Sequence, residues 1–516
     1  MDQLHRSIKA VGFAWRARPI LLNAALAACI LGAGSAARAD SIPPEILDPN
    51  LQVTTALDGL NQPIGLVFLG SVDDCFVLEK ASGQVRRVIN GVVQAVPAID
   101  LAVNSASERG LLSLALHPNF PATPWVFIFW TESNTGADTT VMANVPLLGN
   151  RLDRFVWNAA TGTLALDQTL IRLRARQTDN VPVPGHPGTN NNNENGSHNG
   201  GAMEFGPDGK LYLFAGDMGR RGWMQNLPNG PFLTPPFLDD TFGGPAPDSA
   251  HLSGVILRLN DDGGAPADNP FFEAGAAIGG EVGANIQKVY SYGHRNGFGM
   301  AFDPHGGGLW ETENADDAFS EINRAVPGMN GGWIQVMGPL SRYAQFKLTE
   351  TTEFTRSLQQ ARFPPTRLAY TASLALSRMF MLPGAVYVDP ELSWRYEIGP
   401  AGAEFVRGPA LGAAHEGTLW TGSSRGFEHV GGLGGSLYRF RLTPDRMHLD
   451  LSADPRLADR VADNLFRPTK FDPTESESLV IGRGFGSTPD IVQGPDGNLY
   501  VVSITDNAIY RISRRP

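Results

Sequence analysis

Apolar residues alternate with polar ones along most of the chain, in short segments that are joined by turns. The clearest segments span 203–213 and 491–501, and in each of them two apolar stretches flank the turn sequence Gly-Pro-Asp-Gly. Period-two alternation is typical of strands, and Pro, Asp and Gly favour tight turns. Looser copies of the same strand–turn–strand unit are centred near Asp73, Pro118, His305 and Glu416, which makes six hairpins.

The spacing of these hairpins predicts the architecture. Successive turns lie about 50 to 110 residues apart, so each unit has room for two further strands and long loops. Four-stranded units repeated radially form the blades of a β-propeller. We therefore predict an all-β protein, a six-bladed propeller of four-stranded antiparallel blades with long loop insertions. Helical periodicity is scarce, and 346–362 is the one stretch predicted to be partly helical.

Composition excludes several functional classes. The 516 residues include 41 Lys+Arg and 52 Asp+Glu, giving a net charge of -11, with 42% hydrophobic and 18% charged residues. That hydrophobic content excludes a disordered chain, and the acidic balance excludes a nucleic-acid partner. The 59 glycines and 38 prolines indicate many turns.

The first 39 residues have the features of a signal peptide. Basic residues precede an apolar run, and Ala37-Arg38-Ala39 matches the small-x-small pattern before a cleavage site. An alternative is a lipoprotein signal in which Cys29 carries the lipid. Either alternative predicts export to the periplasm or the medium, no membrane span, and a propeller formed by residues 40–516. In that mature chain Cys75 has no partner for an intrachain disulfide.

Counting outward from the hairpin turns locates a candidate site. Residues equally far from a turn are cross-strand neighbours, and corresponding blade ends face the same side of a propeller. The end far from the turns thus collects polar side chains on an apolar scaffold, which is typical of a binding site. This counting pairs His198 with Asp217, Arg295 with Asn314 and Ser487 with Thr505 or Asp506, and it also brings Glu108 and Arg425 to that end.

The pair His198 and Asp217 has two interpretations. A carboxylate that accepts one imidazole N–H leaves the other ring nitrogen as a general base near neutral pH. Alternatively, the two residues form an ordinary structural hydrogen bond. Arg295 likewise either stabilises a developing oxyanion or forms a salt bridge within its blade.

These positions also carry motifs that resemble the glucose/sorbosone dehydrogenase family of six-bladed quinoproteins. The similarity extends over roughly residues 55–515. Its main motifs are Glu108-Arg109-Gly110-Leu111-Leu112, His198-Asn199-Gly200-Gly201, Tyr292-Gly293-His294-Arg295-Asn296 and Glu321-Ile322-Asn323.

The resemblance implies a sugar or alcohol dehydrogenase that uses pyrroloquinoline quinone and Ca²⁺. It implies that His198, oriented by Asp217, removes the substrate's hydroxyl proton while hydride passes to the quinone, and that Glu108 lines the substrate pocket. Arg295 and Asn296 would hold the quinone, and main-chain carbonyls of Ala315 and Asp316 would bind calcium. An electron acceptor, which the sequence does not identify, would complete the reaction.

The chain departs from the family where the quinone carboxylates would bind. Ser424, Ser487 and Pro489 occupy positions that carry cations in the family, and Arg425 is the candidate replacement, with Asn314 nearby. A tricarboxylate needs compensating cations when it leaves water. The alternative function is therefore a calcium-bearing propeller without quinone, acting as a lactonase-like hydrolase or a carbohydrate-binding protein, with oxygen ligands from Asn199, Asp217, Glu313 and Asn314.

Two weaker candidates lie in the long insertions. Loop aromatic residues Trp223 and Tyr343 are candidates for stacking on a sugar. A second calcium site could use acidic and imidazole side chains between the third and fourth units, namely Asp239, Asp240, Asp248 and His251.

Overall fold

Short, mostly buried strands build the molecule. A computed structural model describes residues 43–175, 197–218, 226, 252–351, 368–424, 435–463 and 474–516. Within these ranges the strands form six sheets, and each sheet contains one of the six predicted hairpins. In chain order the strands are β1 (Glu45–Ile46), β2 (Leu51–Leu57), β3 (Pro63–Ser71), β4 (Asp74–Glu79), β5 (Gln84–Ile89), β6 (Val92–Val93), β7 (Ile99–Asp100), β8 (Leu111–Leu116), β9 (Trp125–Thr131), β10 (Asn150–Asn158), β11 (Thr163–Leu173), β12 (Gly200–Phe205), β13 (Leu211–Ala215), β14 (Val255–Leu259), β15 (Val289–Tyr292), β16 (Gly297–Phe302), β17 (Leu309–Glu313), β18 (Ala318–Ala325), β19 (Met329–Asn330), β20 (Val386–Tyr387), β21 (Leu392–Tyr396), β22 (Pro400–Phe405), β23 (Leu419–Ser423), β24 (Leu437–Phe440), β25 (Val461–Ala462), β26 (Val480–Arg483), β27 (Asp490–Gln493), β28 (Leu499–Ser503) and β29 (Ala508–Arg514).

The sheets follow one another around a ring. Blade one holds β3 to β7, blade two β8 to β11, blade three β12 to β15 with β19 and β20, blade four β16 to β18 with β21 and β25, blade five β22 to β24 with β26 and β1, and blade six β27 to β29 with β2. The first strand of each hairpin contacts the first strand of the next blade, and β27 of blade six contacts β3 of blade one. Strand β2 pairs with β29, with Thr54 opposite Arg511, so a strand from before the first blade and the last described strand complete one blade. The predicted propeller is confirmed.

Each blade is held to its neighbours by alternating side chains. In β9, Phe127 and Phe129 pack into a core shared with blade three, whereas Ile128 and Trp130 pack into a core shared with blade one. Both faces of a central strand are therefore buried. Burial of such side chains stabilises a fold by about 1.5–3 kcal/mol each.

Within the described ranges four short helices interrupt the sheets: α1 (Phe272–Ile278), α2 (Gly280–Ile286), α3 (Tyr343–Thr351) and α4 (Ala372–Arg378). Single 3₁₀ turns lie at Leu340–Arg342, Pro455–Leu457 and Glu477–Leu479. Helix α3 begins three residues before the predicted stretch 346–362, and residues after 351 in that stretch lie outside the described ranges. The expectation of a single helical stretch was wrong. The sequence pattern does not predict helices α1 and α2, because they are glycine-rich. The two helices pack closely through these glycines: a Cβ on Gly275 would lie 2.4 Å from the Gly283 carbonyl oxygen.

Several predicted features can be placed, and others cannot. Tyr343 is not in an exposed loop as expected: it starts α3, is buried, and its hydroxyl donates to the Ala369 carbonyl at 2.7 Å. Cys75 is a buried free thiol, and burial raises its pKa to about 12. The predicted signal peptide with Cys29, the proposed second calcium site, Trp223 and Arg425 lie outside the described residues.

Among the helices of the described ranges, none combines the length and the apolar character that a membrane crossing requires.

Candidate functional site

The site lies at the blade ends away from the hairpin turns, which we call the site end; the opposite end is the turn end. His198 lies two residues before β12 and Asp217 two residues after β13. Their side chains meet, with His198 Nδ1 2.6 Å from Asp217 Oδ1. The cross-strand pairing predicted from the hairpin turn is confirmed, and it gives the imidazole a carboxylate partner.

Asp217 is itself held from a second direction. Its Oδ2 accepts a hydrogen bond from Trp333 Nε1 at 2.9 Å, and its main-chain N–H donates to the Arg295 carbonyl at 2.8 Å. All three side chains are buried. A hydrogen bond to each carboxylate oxygen fixes the plane of the group, and this in turn fixes the plane of the imidazole. Trp333 was missed in the sequence because it lies 116 positions away from Asp217.

The backbone of His198 is pinned in an uncommon conformation. Its φ is +59°, in the left-handed region, which costs about 1–3 kcal/mol for a residue with a Cβ. The His198 N–H donates to Glu108 Oε2 at 2.7 Å. Gly216 approaches from the other side, where a Cβ would lie 2.2 Å from the His198 carbonyl oxygen. The carboxylate of Glu108 therefore anchors the main chain of His198, besides its predicted place beside the substrate pocket.

Arg295 covers the other imidazole nitrogen. Its NH2 group lies 3.1 Å from His198 Nε2, and its NH1 donates to the Asn314 carbonyl at 2.7 Å. The same guanidinium forms an ion pair with Asp316, and it lies 5.6 Å from the ring centroid of Trp333. Since guanidinium is only a donor, His198 Nε2 accepts, and the ring proton resides on Nδ1 toward Asp217.

Electrostatics keep this imidazole neutral. Burial lowers the pKa of His198, and the positive charge of Arg295 lowers that pKa further, while Asp217 and Glu108 oppose the shift. The net direction is downward from the ordinary value of 6.5. At neutral pH the side chain is therefore uncharged and has a lone pair on Nε2, which is the state that a general base requires.

Two side-chain amide oxygens near His198 have no hydrogen-bond partner among the described residues. Asn296 donates from Nδ2 to Glu108 Oε2 at 3.1 Å. Its Oδ1 and the Oδ1 of neighbouring Asn199 are buried, and neither has a hydrogen-bond partner in the described structure. Buried polar atoms without partners are rare and commonly face a ligand or water. The side-chain amide of Asn314, in contrast, donates from Nδ2 to the Pro400 carbonyl at 2.7 Å.

The predicted calcium-loop residues follow β17 and lie against Arg295. Ala315 and Asp316 are both buried. The carboxylate of Asp316 is the ion-pair partner of Arg295, and the Ala315 N–H donates to Ser320 Oγ at 3.4 Å. The Asp316 side chain therefore neutralises the charge of Arg295.

Blades five and six present hydroxyl groups and main chain where the family has cations. The Ser424 N–H donates to the Gly399 carbonyl at 2.7 Å, and the Ser487 N–H donates to Thr505 Oγ1 at 3.0 Å, the pairing predicted from the hairpin. Pro489 precedes β27. This half of the site end therefore differs from the charged half formed by blades three and four.

A cation that the sequence analysis overlooked lies in blade one. Lys80 directly follows β4, the second strand of the first hairpin, and Asp217 lies two residues after the corresponding strand β13, so the same reasoning applied to the first hairpin points to Lys80. Its Nζ donates to the carbonyls of Ser105 and Ser107, at 3.1 and 2.9 Å. Burial lowers the pKa of Lys80 to about 8, against the opposing effect of Glu108.

Comparison with known proteins identifies the family. The sequence profile of the Glucose / Sorbosone dehydrogenase family matches residues 60–389, which is more than half of the chain. The chain belongs to the glucose/sorbosone dehydrogenase family. The similarity found in the sequence is confirmed.

Two curated relatives and one solved structure of similar fold carry the names of sugar dehydrogenases. Quinoprotein glucose dehydrogenase B of Acinetobacter calcoaceticus is 31% identical over 56% of this chain and 53% of its own length. The chain thus matches about half of that relative. Aldose sugar dehydrogenase YliI of Escherichia coli is 31% identical over 58% of this chain and 66% of its own. A PQQ-bound aldose sugar dehydrogenase from Streptomyces coelicolor shares the fold, with 20% identity, a TM-score of 0.51 and coverage of 90% and 98%.

Proposed function

We propose that the protein is a dehydrogenase that oxidises a hydroxyl group of a sugar or another alcohol, with His198 as the general base. One observation carries the proposal: a buried, neutral imidazole is held by Asp217 on one nitrogen and presents the other at the site end of the ring. Membership of the glucose/sorbosone dehydrogenase family supports the reaction class.

In this proposal each residue has a defined task. His198 Nε2 takes the hydroxyl proton as the C–H bond of the substrate gives up hydride. Asp217 accepts from Nδ1 and stabilises the imidazolium that forms, while Trp333 keeps Asp217 in plane. Arg295 must turn its NH2 group from His198 to the reacting oxygen, where its charge stabilises developing negative charge. Glu108 fixes the His198 main chain during this exchange.

Pyrroloquinoline quinone is the proposed hydride acceptor, and the residues of blades one, three and four fit it. The guanidinium of Arg295 and the amide of Asn296, whose Oδ1 has no partner among the described residues, suit the carbonyl and N–H groups of a quinone ring. Arg295 and Lys80 supply positive charge at this end, and Arg425 is the third proposed cation. When bound, the cofactor would supply an electrophilic carbonyl and a two-electron store.

Calcium is proposed at the loop after β17. Main-chain carbonyls of Ala315 and Asp316 are hard oxygen donors of the kind that Ca²⁺ prefers. The Asp316 carboxylate already forms an ion pair with Arg295. A cation bound in this loop would therefore interact with the dipoles of the main-chain carbonyls and would share that one carboxylate with Arg295. A cation bound here would polarise groups held by Arg295.

The alternative of a quinone-free calcium hydrolase has less support from the geometry. It requires Asn199, Asp217, Glu313 and Asn314 to face one ion. Both carboxylate oxygens of Asp217 are already hydrogen-bonded, one to His198 and the other to Trp333, so Asp217 is committed to orienting the imidazole. Of the four residues, Asn199 has a buried Oδ1 without a hydrogen-bond partner in the described structure.

The deciding experiment is titration of the purified apo-protein with pyrroloquinoline quinone and Ca²⁺. We expect saturable binding in the absorbance spectrum and reduction of an artificial electron-accepting dye that depends on an aldose. Absence of quinone binding at micromolar concentration, with calcium still raising the Tm, would overturn the dehydrogenase proposal and favour the hydrolase. Lactones would then be tested.

We also propose export to the periplasm or the medium, on the strength of the basic and apolar N-terminal sequence that ends in Ala37-Arg38-Ala39. Cell fractionation followed by N-terminal sequencing tests this. A mature chain that begins at Asp40 supports it, and a lipid on Cys29 would support the lipoprotein alternative. An uncleaved chain in the cytoplasm would contradict both.

A further inference from the structure

A second cluster of buried chemistry lies in blade four, behind the site. His294 lies two residues after β15, and Glu311 and Glu313 lie on one face of β17 because they are two residues apart in a strand. Nitrogen Nδ1 of His294 and one carboxylate oxygen from each glutamate all lie within 4.8 Å of one another. All three side chains are at most 2% exposed.

The carboxylate of Glu311 forms no hydrogen bond within the described structure. Both of its carboxylate oxygens are buried without a hydrogen-bond partner in the described structure, and one of them points at His294 Nδ1 from 3.8 Å. Neither Glu311 nor Glu313 forms an ion pair with lysine or arginine among the described residues; Arg295, next to His294, directs its guanidinium to Asp316 instead. Two buried carboxylates without a countercharge are unfavourable by several kcal/mol per ion.

The other two residues are already oriented as ligands. Ser291 Oγ lies 2.8 Å from His294 Nε2, so it can accept a hydrogen bond from the protonated Nε2. The lone pair of Nδ1 then faces the carboxylates. Glu313 Oε1 accepts from the Arg295 N–H at 2.5 Å, which turns Oε2 toward His294 Nδ1, 3.0 Å away. Such outer hydrogen bonds are typical of residues that bind metal through their other atom.

The spacing suits a small divalent ion. Metal–ligand bonds of about 2.0–2.2 Å hold ligand atoms roughly 3–3.5 Å apart. The two distances to His294 Nδ1, 3.0 and 3.8 Å, bracket that range. Glu311 has no hydrogen bond to break, so its carboxylate can rotate to close the remaining gap.

We propose that His294, Glu311 and Glu313 bind one first-row divalent transition ion, with Zn²⁺ as the probe. An imidazole nitrogen beside two carboxylates selects such an ion over Ca²⁺, whose ligands are oxygen atoms. The ion would neutralise both carboxylates and fix the main chain that carries Arg295. This site is separate from the calcium proposed at the loop after β17 and does not depend on the proposed dehydrogenase activity.

The test is metal content, followed by the local structure around the metal. The full-length protein is expressed with added zinc, desalted and analysed by elemental mass spectrometry. Three forms are compared: wild type, Glu311→Gln and the control Glu404→Gln. Glu404 lies in β22, among the first strands of the blades, and has no part in this cluster. We expect about one zinc per chain in wild type and in the control, and at least a tenfold loss in Glu311→Gln. X-ray absorption should show a shell of nitrogen and oxygen only, and a tenfold excess of Ca²⁺ should leave the zinc in place.

Three results would overturn the proposal: wild type without stoichiometric zinc, Glu311→Gln with as much zinc as wild type, or displacement of zinc by calcium. If Glu311→Gln fails to fold, His294→Gln takes its place with the same expectation. Wild type without metal would mean that Glu311 is kept as a neutral acid in the folded protein.

Discussion

Two buried histidines in this molecule have the same kinds of partner but different surroundings. His198 lies between Asp217 and Arg295 at the site end, whereas His415 lies between Asp48, at 3.1 Å, and Arg439, at 3.2 Å, in the loop between β22 and β23 at the turn end. Burial lowers the pKa of both, and the arginine is the second cause in both cases.

What separates the two is the environment. His198 lies at the start of a first strand of the ring, beside the partnerless amide oxygens of Asn199 and Asn296. His415 packs against Trp420, with ring centroids 5.7 Å apart, and serves to attach Asp48 beside β1 to blade five. A His–Asp–Arg trio is thus insufficient evidence of a site; its position relative to unsatisfied polar atoms and the ring centre is what distinguishes it.

The largest difference in activity is expected between variants in which one or the other histidine is replaced by glutamine. His198→Gln should lower kcat/KM by about 10²- to 10⁴-fold, the usual contribution of a general base. His415→Gln should leave kcat/KM within about twofold while lowering the Tm to a comparable degree, because both replacements disturb a buried pair. Steady-state kinetics and thermal unfolding measure both quantities. Equal losses of activity in the two variants would mean that His198 acts only through folding.

The next effect concerns Ser424 and Ser487, in blades five and six, which stand where the family resemblance implies cations. The double variant Ser424→Lys/Ser487→Arg should bind pyrroloquinoline quinone at least tenfold more tightly, because a hydrogen bond to a charged group contributes about 1.5–3 kcal/mol. Ser71→Arg, which adds a charge at the β3–β4 turn, is the control and should leave the Kd unchanged. Tighter binding by the control alone would indicate non-specific attraction of an anion.

The pH dependence should separate the site from ordinary histidine chemistry. Since the pKa of His198 is lowered below 6.5, its base form persists through neutral pH and is lost only as the pH falls through that lowered value. The kcat/KM profile should therefore be flat near neutrality and fall about tenfold per pH unit in acid. An acid limb with its midpoint above 6.5 would assign the base to another group.

The smallest effect should come from the tryptophan behind Asp217. Trp333→Phe removes the N–H that holds Asp217 Oδ2, so kcat/KM should fall by only a few-fold, roughly the effect of about 1 kcal/mol on orientation. Trp310→Phe is the matched control, because the Trp310 indole N–H is buried in blade four without a hydrogen-bond partner in the described structure. A larger loss of activity in the control would show that packing, and not the hydrogen bond, is responsible.

How much the sequence could predict follows from the range of each interaction. The pairs His198–Asp217 and Ser487–Thr505 were predictable because a hairpin turn fixes the register of its own two strands. Trp333 and Lys80 were not predicted: Trp333 reaches Asp217 from a loop 116 positions away, and Lys80 follows a hairpin whose turn is marked only loosely in the sequence. Glu311 carries no local sign of its isolation, since an acidic residue in a strand usually faces water. Tyr343 was misplaced because loop and helix boundaries in an insertion depend on tertiary packing.

The pairing of β2 with β29 also sets the order in which the protein can be completed. A chain made from its N-terminus produces β2 before the hairpin of any blade and β29 after all of them, so β2 has no partner until β29 has been made. The partly made ring therefore has an exposed strand edge at one side and an unfinished sheet at the other, the condition in which strands join the wrong chain. A chaperone that shields this edge would have to act until β29 is made, and a truncation that removes Ala508–Arg514 would leave β2 without its partner strand and the ring open.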